Sequence, residues 1–266
     1  MTFPEPVVAI PSYNDPKSLR RCVRSIRKYS PCISIYVVEQ VSHTKDIIDD
    51  VTFYKHHPSQ LGVGMARKVV TDYVLRDHPG SVIIHMDDDT VVHGSGVMEK
   101  ANQIIRQYPE FAWVGALGAF KHWYISGGMS QDDIINKIHF CTNIGAGFAA
   151  INPEFIKKHG HFDHSFITKE DVELCSRAWA NGWFVGMVDI QIRSPRKKRD
   201  ISHPFHPKSE QYLSANEKIA SLYHGHFKLV GNRKLRKRFD FPEESFTLRE
   251  DIRDLSITWI KKECKS

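Results

Sequence analysis

The sequence predicts an α/β fold with a mostly parallel central sheet flanked by helices. Short runs of β-branched and aliphatic residues alternate along the chain with amphipathic helical patterns. Residues 82–84 form a continuous apolar run, as in a strand that is buried on both faces of a parallel sheet. This run leads into Asp87, Asp88 and Asp89, so the sheet edge where ligands of such folds bind is expected to be acidic.

The other elements follow in a matching order. Residues 7–10 form a first strand, and Pro16 opens a helix whose apolar positions recur at helical spacing opposite a basic face. We interpret that basic face as solvated helix surface. The β-α-β start predicts parallel strands joined by a right-handed crossover, and Gly127 and Gly128 indicate a mobile loop. Further strands are predicted at 33–38, 51–54, 112–117 and 185–192. Residues 60–67 are predicted as a flexible entry into a helix that runs toward residue 76, and further helices are predicted at 94–107, at 168–180, in a segment that ends at residue 222 and at 246–260.

The three consecutive aspartates are the strongest indication of a metal site. Adjacent carboxylates repel one another, and a divalent cation would offset that repulsion. In an extended segment, alternate side chains share a face, so Asp87 and Asp89 are expected to reach one ion while Asp88 points elsewhere. Oxygen ligands of this kind suit Mg²⁺ or Mn²⁺. The alternative is a solvated acidic turn.

Three other stretches have both a functional and a structural interpretation. The two glycines within residues 60–67 can form either a phosphate cradle or an ordinary turn before a helix. Gly147 lies among small residues that allow close approach of a ligand or tight internal packing. Glu170 and Asp171 stand at a helix start that Thr168 can cap, where acids also complement the helix dipole.

Length and composition suit one compact domain or a domain with a C-terminal extension. The chain has 266 residues, of which 41% are hydrophobic and 26% charged. We expect a core at residues 1–192 and a basic, mainly helical extension at 193–266. No membrane span or secretory signal is recognised, and five cysteines without paired spacing indicate reduced thiols rather than disulfides or a zinc site. These features predict an intracellular, cytoplasmic protein, in the host cytoplasm if it is viral.

Positive charge is concentrated towards the C-terminus. The formal net charge is +6, yet residues 193–238 alone contain 13 Lys or Arg against three Asp or Glu. Such a segment suggests a polyanionic partner, although charge runs are commonly solvated surface. The basic residues expected to contact nucleic acid are Arg196, Lys197, Lys198, Arg199, Arg233, Lys234, Arg236 and Lys237.

The order of these motifs resembles the GT-A (Rossmann-like) class of nucleotide-sugar glycosyltransferases, over roughly residues 7–190. The matching pieces are 10–14 after the first strand, Glu39 after the second, 60–62 with 66–67, the aspartates 87–89, and 170–171. Within that class the chain is most similar to the base-J-type DNA glucosyltransferases and their phage relatives, which glycosylate hydroxymethylated pyrimidines in DNA. The stretches that support this narrower resemblance are 10–14, 61–67, 86–90, 147–153 and 169–173.

The resemblance implies a role for each matching residue. Glu39, where many relatives have Asp, would bind the nucleoside, and Arg67 would contact a phosphate or Asp87. Asp87 and Asp89 would hold Mn²⁺ or Mg²⁺ on the diphosphate of the donor. Asp171 would accept the proton of the acceptor hydroxyl, which implies direct displacement with inversion. The implied donor-binding residues are Pro11, Tyr13, Asn14, Glu39, Gln60, Gly62, Arg67, Asp87, Asp88 and Gly147.

Enzymes of this class often recruit another metal or phosphate contact from beyond the sheet. His203 and His206 are the preferred additional metal ligands because they follow the last core strand in a basic loop. His224 and His226 are alternatives, and a lone histidine is more often structural than a ligand.

The implied function is metal-dependent, inverting transfer of a hexose, glucose by default, from a UDP-sugar to a hydroxymethylated pyrimidine base in DNA. One alternative acceptor is a saccharide or lipid-linked glycan. Two other classes remain, a non-catalytic nucleic-acid-binding protein and a metal-dependent nuclease. The presence of Asp87, Asp89 and Asp171 argues against the first, and a nuclease would leave Glu39 without a role. No obligate protein partner is evident.

Overall fold

The structure is a computed structural model that describes residues 4–116, 124–128, 139–141, 144–188, 190, 192–193 and 210–222. Its first half contains β1 (Val7–Tyr13), α1 (Pro16–Tyr29), β2 (Ser34–Gln40), a 3-10 helix (Lys45–Asp50), β3 (Phe53–His57), α2 (Val63–Asp77) and β4 (Ile83–Met86). The second half contains β5 (Val91–Val92), α3 (Val97–Gln107), β6 (Phe111–Ala116), β7 (Tyr124–Gly128), β8 (His139–Cys141), β9 (Phe148–Ile151), α4 (Pro153–His159), α5 (Glu170–Ala180), β10 (Phe184–Val188), β11 (Ile192–Arg193) and α6 (Glu210–Leu222).

The predicted α/β fold is confirmed. The described strands form a nine-stranded sheet in the order β3-β2-β1-β4-β9-β6-β10-β8-β7, and β5 pairs with β11 separately. Strands β1 to β4 pair in parallel, as do β6 and β10, whereas β9 runs antiparallel between β4 and β6. Following the pairings across the sheet, every strand except β8 and β9 points the same way.

The strand order creates a switch point beside β1. The chain passes from β1 outward through β2 to β3 and then returns to place β4 on the other side of β1. Helices that follow diverging strands leave a crevice at the carboxyl ends of those strands, where ligands of open α/β sheets bind. Tyr13 ends β1 and Asp87 follows β4, so both lie at this edge.

Burial of apolar side chains on both sides of the sheet stabilises this arrangement. Ile10 of β1 and Ile84 of β4 are 0% exposed, which agrees with the continuous apolar runs of buried parallel strands. Helix α1 packs through its buried Leu19, Val23 and Ile26, and Asp15 caps the helix by accepting from the Ser18 N–H at 3.1 Å.

Several local predictions were wrong. Gly127 and Gly128 lie in β7 rather than in a loop, because pairing with β8 outweighs the turn tendency of glycine. The predicted strand at 185–192 is divided between β10 and the short β11. Thr168 does not cap α5, since Lys169 holds the cap position in the left-handed region at φ +66°. The tail helix predicted at 246–260 lies outside the described residues.

Candidate active site

An acidic turn occupies the end of β4. The Thr90 N–H donates to the Asp87 carbonyl at 3.0 Å, so the chain turns directly after the strand. The Gly147 carbonyl holds this turn, accepting from the Asp87 N–H at 3.2 Å and from the Thr90 hydroxyl at 2.7 Å. The expected extended backbone is therefore replaced by a turn at 87–90, and the alternation of side chains in extended backbone does not apply to Asp87 and Asp89.

Asp88 points back towards β1. Its Oδ2 accepts from the Ser12 hydroxyl at 2.7 Å and from the Tyr13 N–H at 3.3 Å. Burial raises the pKa of Asp88 to about 7, with further contributions from the charges of Asp87 and Asp89 and opposition from the Ser12 hydrogen bond. Asp88 is therefore tied to β1 on the buried side of the acidic turn.

Arg67 links the acidic turn to the start of α5. Its Nη2 lies 2.6 Å from Asp87 Oδ1 and its Nε lies 3.0 Å from Glu170 Oε1. Arg67 is only 2% exposed, and its Nη1 has no hydrogen-bond partner among the residues that the structure describes. The contact with Asp87 is one of the two predicted for Arg67, whereas the contact with Glu170 was not predicted.

The two acids at the start of α5 have different surroundings. Glu170 is 4% exposed, and burial together with the neighbouring charge of Asp171 raises its pKa, opposed by Arg67. Asp171 is partly exposed, and its Oδ1 accepts from the Val172 N–H at 2.8 Å. Because Glu170 is committed to Arg67, Asp171 is the acid of this pair that solvent or a substrate can reach.

A polar network joins β1, β2 and the entry to α2. The Gln40 amide donates to the Ser12 carbonyl at 3.3 Å, and its oxygen accepts from the Leu61 N–H at 2.7 Å. Tyr13, which is 48% exposed, donates its hydroxyl to Gln60 Oε1 at 3.3 Å. Gly62 then adopts φ +84°, a conformation that favours glycine.

Three predicted donor-binding residues therefore cluster beside the acidic turn, namely Tyr13, Gln60 and Gly62. Pro11 is buried within β1 and contributes to the sheet, whereas Asn14 is exposed at φ +49° directly after Tyr13. Gln40 and Ser12 were missed, although their place at the ends of β1 and β2 is the signal that would have found them.

Glu39 is buried and fully hydrogen-bonded within the chain. Its Oε1 accepts from the hydroxyls of Ser42 and Thr44, each at 2.6 Å, and its Oε2 accepts from the Thr44 N–H at 2.8 Å and from the Tyr54 hydroxyl. A carboxylate has about four acceptor positions, and in this arrangement donors of the chain itself occupy all four. Here Glu39 organises the loop after β2, where Val41 lies at φ +70°.

The acidic turn has the donor chemistry for a divalent metal. Carboxylate oxygens are the ligands that Mg²⁺ and Mn²⁺ prefer, and three carboxyl side chains lie in succession directly after β4. Within the part of the chain that the structure describes, no group of three or more His, Cys, Asp or Glu side chains is arranged to hold an ion. The predicted ligands His203 and His206, like the predicted nucleic-acid contacts at 196–199 and 233–237, lie outside the described residues.

In the same described part of the chain, no helix combines the length and apolarity needed to cross a membrane.

Comparisons with known proteins agree with this fold. Residues 7–175 match the family model described as glycosyl transferase family 2. A crystal structure of GalNAc-T7 with UDP, GalNAc and Mn²⁺ is similar at TM-score 0.61 and 13% identity, with 81% of this chain and 48% of that chain covered. No curated protein sequence matches the chain.

Two further solved structures are similar at 13% identity. TarS of S. aureus matches at TM-score 0.57 over 97% of this chain and 43% of its own. The mannosyltransferase PcManGT from Pyrobaculum calidifontis, in complex with GDP-Man and Mn²⁺, matches at TM-score 0.54 over 72% of this chain and 58% of its own. This chain thus spans about half the length of these neighbours, and at this identity the likeness shows the GT-A fold alone. The family model covers more than half of the sequence, and the chain belongs to glycosyl transferase family 2.

Proposed function

We propose that this protein is a metal-dependent, inverting glycosyltransferase that moves a hexose from a nucleoside diphosphate sugar to a hydroxyl acceptor. The observation that carries the proposal is the bridge made by Arg67. It joins the acidic turn at the switch point to the helix start that holds Asp171, through contacts of 2.6 Å and 3.0 Å. The proposed site for the leaving diphosphate and the proposed general base, Asp171, are thereby connected through Arg67.

Asp87 and Asp89 would hold Mn²⁺ or Mg²⁺ against the donor diphosphate. When bound, the ion supplies Lewis-acid stabilisation of the charge that develops on the departing diphosphate. Arg67 keeps Asp87 in place from the protein side, because its buried guanidinium is shared with Glu170. His203 and His206 remain proposed additional ligands. The neighbouring structures that contain Mn²⁺ with a nucleotide or nucleotide-sugar support this assignment.

Asp171 would act as the general base. It accepts the proton of the acceptor hydroxyl while the acceptor oxygen forms a bond to the anomeric carbon and the bond from that carbon to the diphosphate breaks. A single displacement of this kind inverts the anomeric configuration. Glu170 is buried on Arg67, so it holds the start of α5 in position rather than competing for the proton.

The nucleoside would lie against Tyr13 and Asn14 at the end of β1 and against Gln60 before the start of α2. Tyr13 presents an exposed ring there, and its hydroxyl is directed by Gln60. UDP-glucose is the default donor by sequence resemblance. GalNAc-T7 was solved with UDP and PcManGT with GDP-Man, so both nucleotides belong in the first assay.

The proposed acceptor is a hydroxymethylated pyrimidine base in DNA. Its support is the resemblance of the motifs to the base-J-type and phage enzymes, together with the basic segment at 193–238. That segment belongs to a proposed extension at 193–266 on a core at 1–192. In support, α6 of the extension packs its buried Ala215 and Ile219 against Phe166 and Val172 of the core. A saccharide or lipid-linked glycan is the alternative acceptor.

The test is an incubation of the protein with Mn²⁺, UDP- and GDP-sugars and three DNAs, which are unmodified or contain hydroxymethylcytosine or hydroxymethyluracil. Mass spectrometry of the nucleosides should show a hexose added to one modified base. Slow donor hydrolysis without DNA modification would keep the transferase and reject the DNA acceptor. Absence of both transfer and hydrolysis would reject the proposed activity.

A further inference from the structure

Helix α1 has a charge composition that its structural role does not require. All six of its charged residues are basic, whereas the formal net charge of the whole chain is only +6. Cations in a first helical turn oppose the helix dipole, and like charges four residues apart repel one another. An ordinary solvated face would reduce both costs by mixing acids with bases. The basic residues are Lys17, Arg20, Arg21, Arg24, Arg27 and Lys28.

Two of these residues bind parts of the fold. The Arg20 Nε lies 2.6 Å from Asp46 Oδ2 in the 3-10 helix. Arg27 donates to three backbone carbonyls, at 2.6 Å to Asp50, 2.9 Å to Pro31 and 2.6 Å to Ile33. Arg20 and Arg27 therefore anchor α1 to the segments beside it.

The other four residues form what we call the basic stripe, which consists of Lys17, Arg21, Arg24 and Lys28. All four are exposed, and within the described residues none forms an ion pair with a carboxylate. At 100° per residue their spacing keeps them within about 60° of one another, opposite the buried face of α1. With a rise of 1.5 Å per residue, the stripe extends over about 16 Å.

The stripe begins at the edge of the sheet that holds the candidate active site. Helix α1 follows β1 directly, and its buried Cys22 lies with Sγ 3.7 Å from the Asp87 carbonyl of the acidic turn. We propose that the basic stripe binds the phosphate backbone of a DNA duplex and so places the acceptor beside this edge. This proposal rests on the proposed DNA acceptor, and it concerns a surface separate from the basic segment at 193–238.

A row of phosphates fits the stripe better than an anionic membrane does. On each strand of a duplex the phosphates rise by about 3.4 Å, so 16 Å faces about five of them. Guanidinium groups such as those of Arg21 and Arg24 also match phosphate oxygens in pairs. A helix that lies on a membrane borders its basic face with large apolar side chains, but α1 exposes none of its large apolar residues.

The test compares two double variants that remove equal charge. The variant Arg21→Gln with Arg24→Gln changes the stripe, and Lys55→Gln with Lys157→Gln changes exposed lysines on β3 and α4. Affinity for an unmodified duplex is measured without donor from 50 to 200 mM salt. The stripe variant should bind the duplex roughly tenfold more weakly. The slope of the logarithm of its affinity against the logarithm of the salt concentration should be about 1.8 smaller in magnitude, as expected for two lost phosphate contacts. The control variant should stay close to the wild-type slope.

Equal losses in both variants, or none in either, would overturn the proposal. So would weaker binding of the stripe variant to phosphatidylserine vesicles with unchanged binding to the duplex. Thermal unfolding of each variant checks that the fold is intact. Sugar transfer to modified DNA distinguishes the two proposals. If sugar is transferred to DNA but the stripe variant binds the duplex with the wild-type salt dependence, the proposed function stands and the role of the basic stripe is rejected. If the stripe variant changes the salt dependence but no DNA receives sugar, the basic stripe stands as a DNA-binding surface and the DNA acceptor is rejected.

Discussion

Replacing Glu39 by Gln tests whether this carboxylate holds the loop or the nucleoside. The amide would place its NH₂ group at the Oε1 position, because the hydroxyls of Ser42 and Thr44 can rotate to accept while the Thr44 N–H cannot. Burial and the neighbouring Glu39 raise the pKa of Tyr54, so its hydroxyl keeps its proton and still donates to Oε2. The geometry of the loop should therefore survive with weaker hydrogen bonds.

The loss of stability expected on substitution follows from the four hydrogen bonds that the Glu39 carboxylate accepts. A hydrogen bond to a charged group contributes about 1.5–3 kcal/mol and one between neutral groups about 0.5–1.5 kcal/mol. The lower desolvation cost of a neutral side chain offsets part of that difference. We expect Glu39→Gln to lower the free energy of unfolding by about 1–2 kcal/mol. Glu39→Ala removes every acceptor and should cost about 3 kcal/mol or more.

Urea unfolding of both variants measures these costs, with Glu99→Gln on the exposed surface of α3 as the matched control. The control should change stability by less than about 0.5 kcal/mol. Donor affinity of Glu39→Gln should stay within about threefold of wild type under conditions where the protein is folded. Unchanged stability together with a hundredfold loss of donor affinity would refute the loop role and restore Glu39 as a nucleoside ligand.

Three further substitutions test the parts of the site. Asp171→Asn should lower transfer by roughly 10² or more at unchanged donor affinity, and equal loss of both in a transfer and binding assay would indicate a structural role. Gly64→Ala places a Cβ 2.3 Å from the Phe166 carbonyl, so thermal unfolding should show a loss of about 1–3 kcal/mol, and wild-type stability would contradict this packing. Arg67→Lys cannot make both bonds of the bridge and should cost about 1–3 kcal/mol in urea unfolding, whereas an unchanged midpoint would show that the bridge contributes little.

Local patterns in the sequence were sufficient to predict six of the nine strands of the described sheet and the acidic edge. The apolar run before Asp87 is a strand whose side chains are buried on both faces of the sheet, and Pro16 marks the start of α1 as expected. The direction of β9 was not predictable, because a short strand takes its direction from neighbours far along the chain. In the structure β9 pairs antiparallel with both β4 and β6.

The contacts within the site were the hardest to predict. Arg67 meets Glu170 across 103 positions of sequence, and Ser12 meets Asp88 across 76. No spacing rule links residues at such separations, so Glu170 was interpreted only as a helix-start acid. The role expected for Glu39 came from resemblance, and the bonds that occupy its carboxylate depend on how the following loop folds back.

The central claim is that the acidic turn binds a nucleotide-sugar through a metal. The most direct measurement is calorimetric titration of UDP-glucose and GDP-mannose into wild type and Asp89→Asn, with Mn²⁺ and with EDTA. We expect binding to wild type that requires Mn²⁺ and is lost in Asp89→Asn, while the variant unfolds at the wild-type temperature. Binding of equal strength in EDTA, or binding unaffected by Asp89→Asn, would contradict this claim.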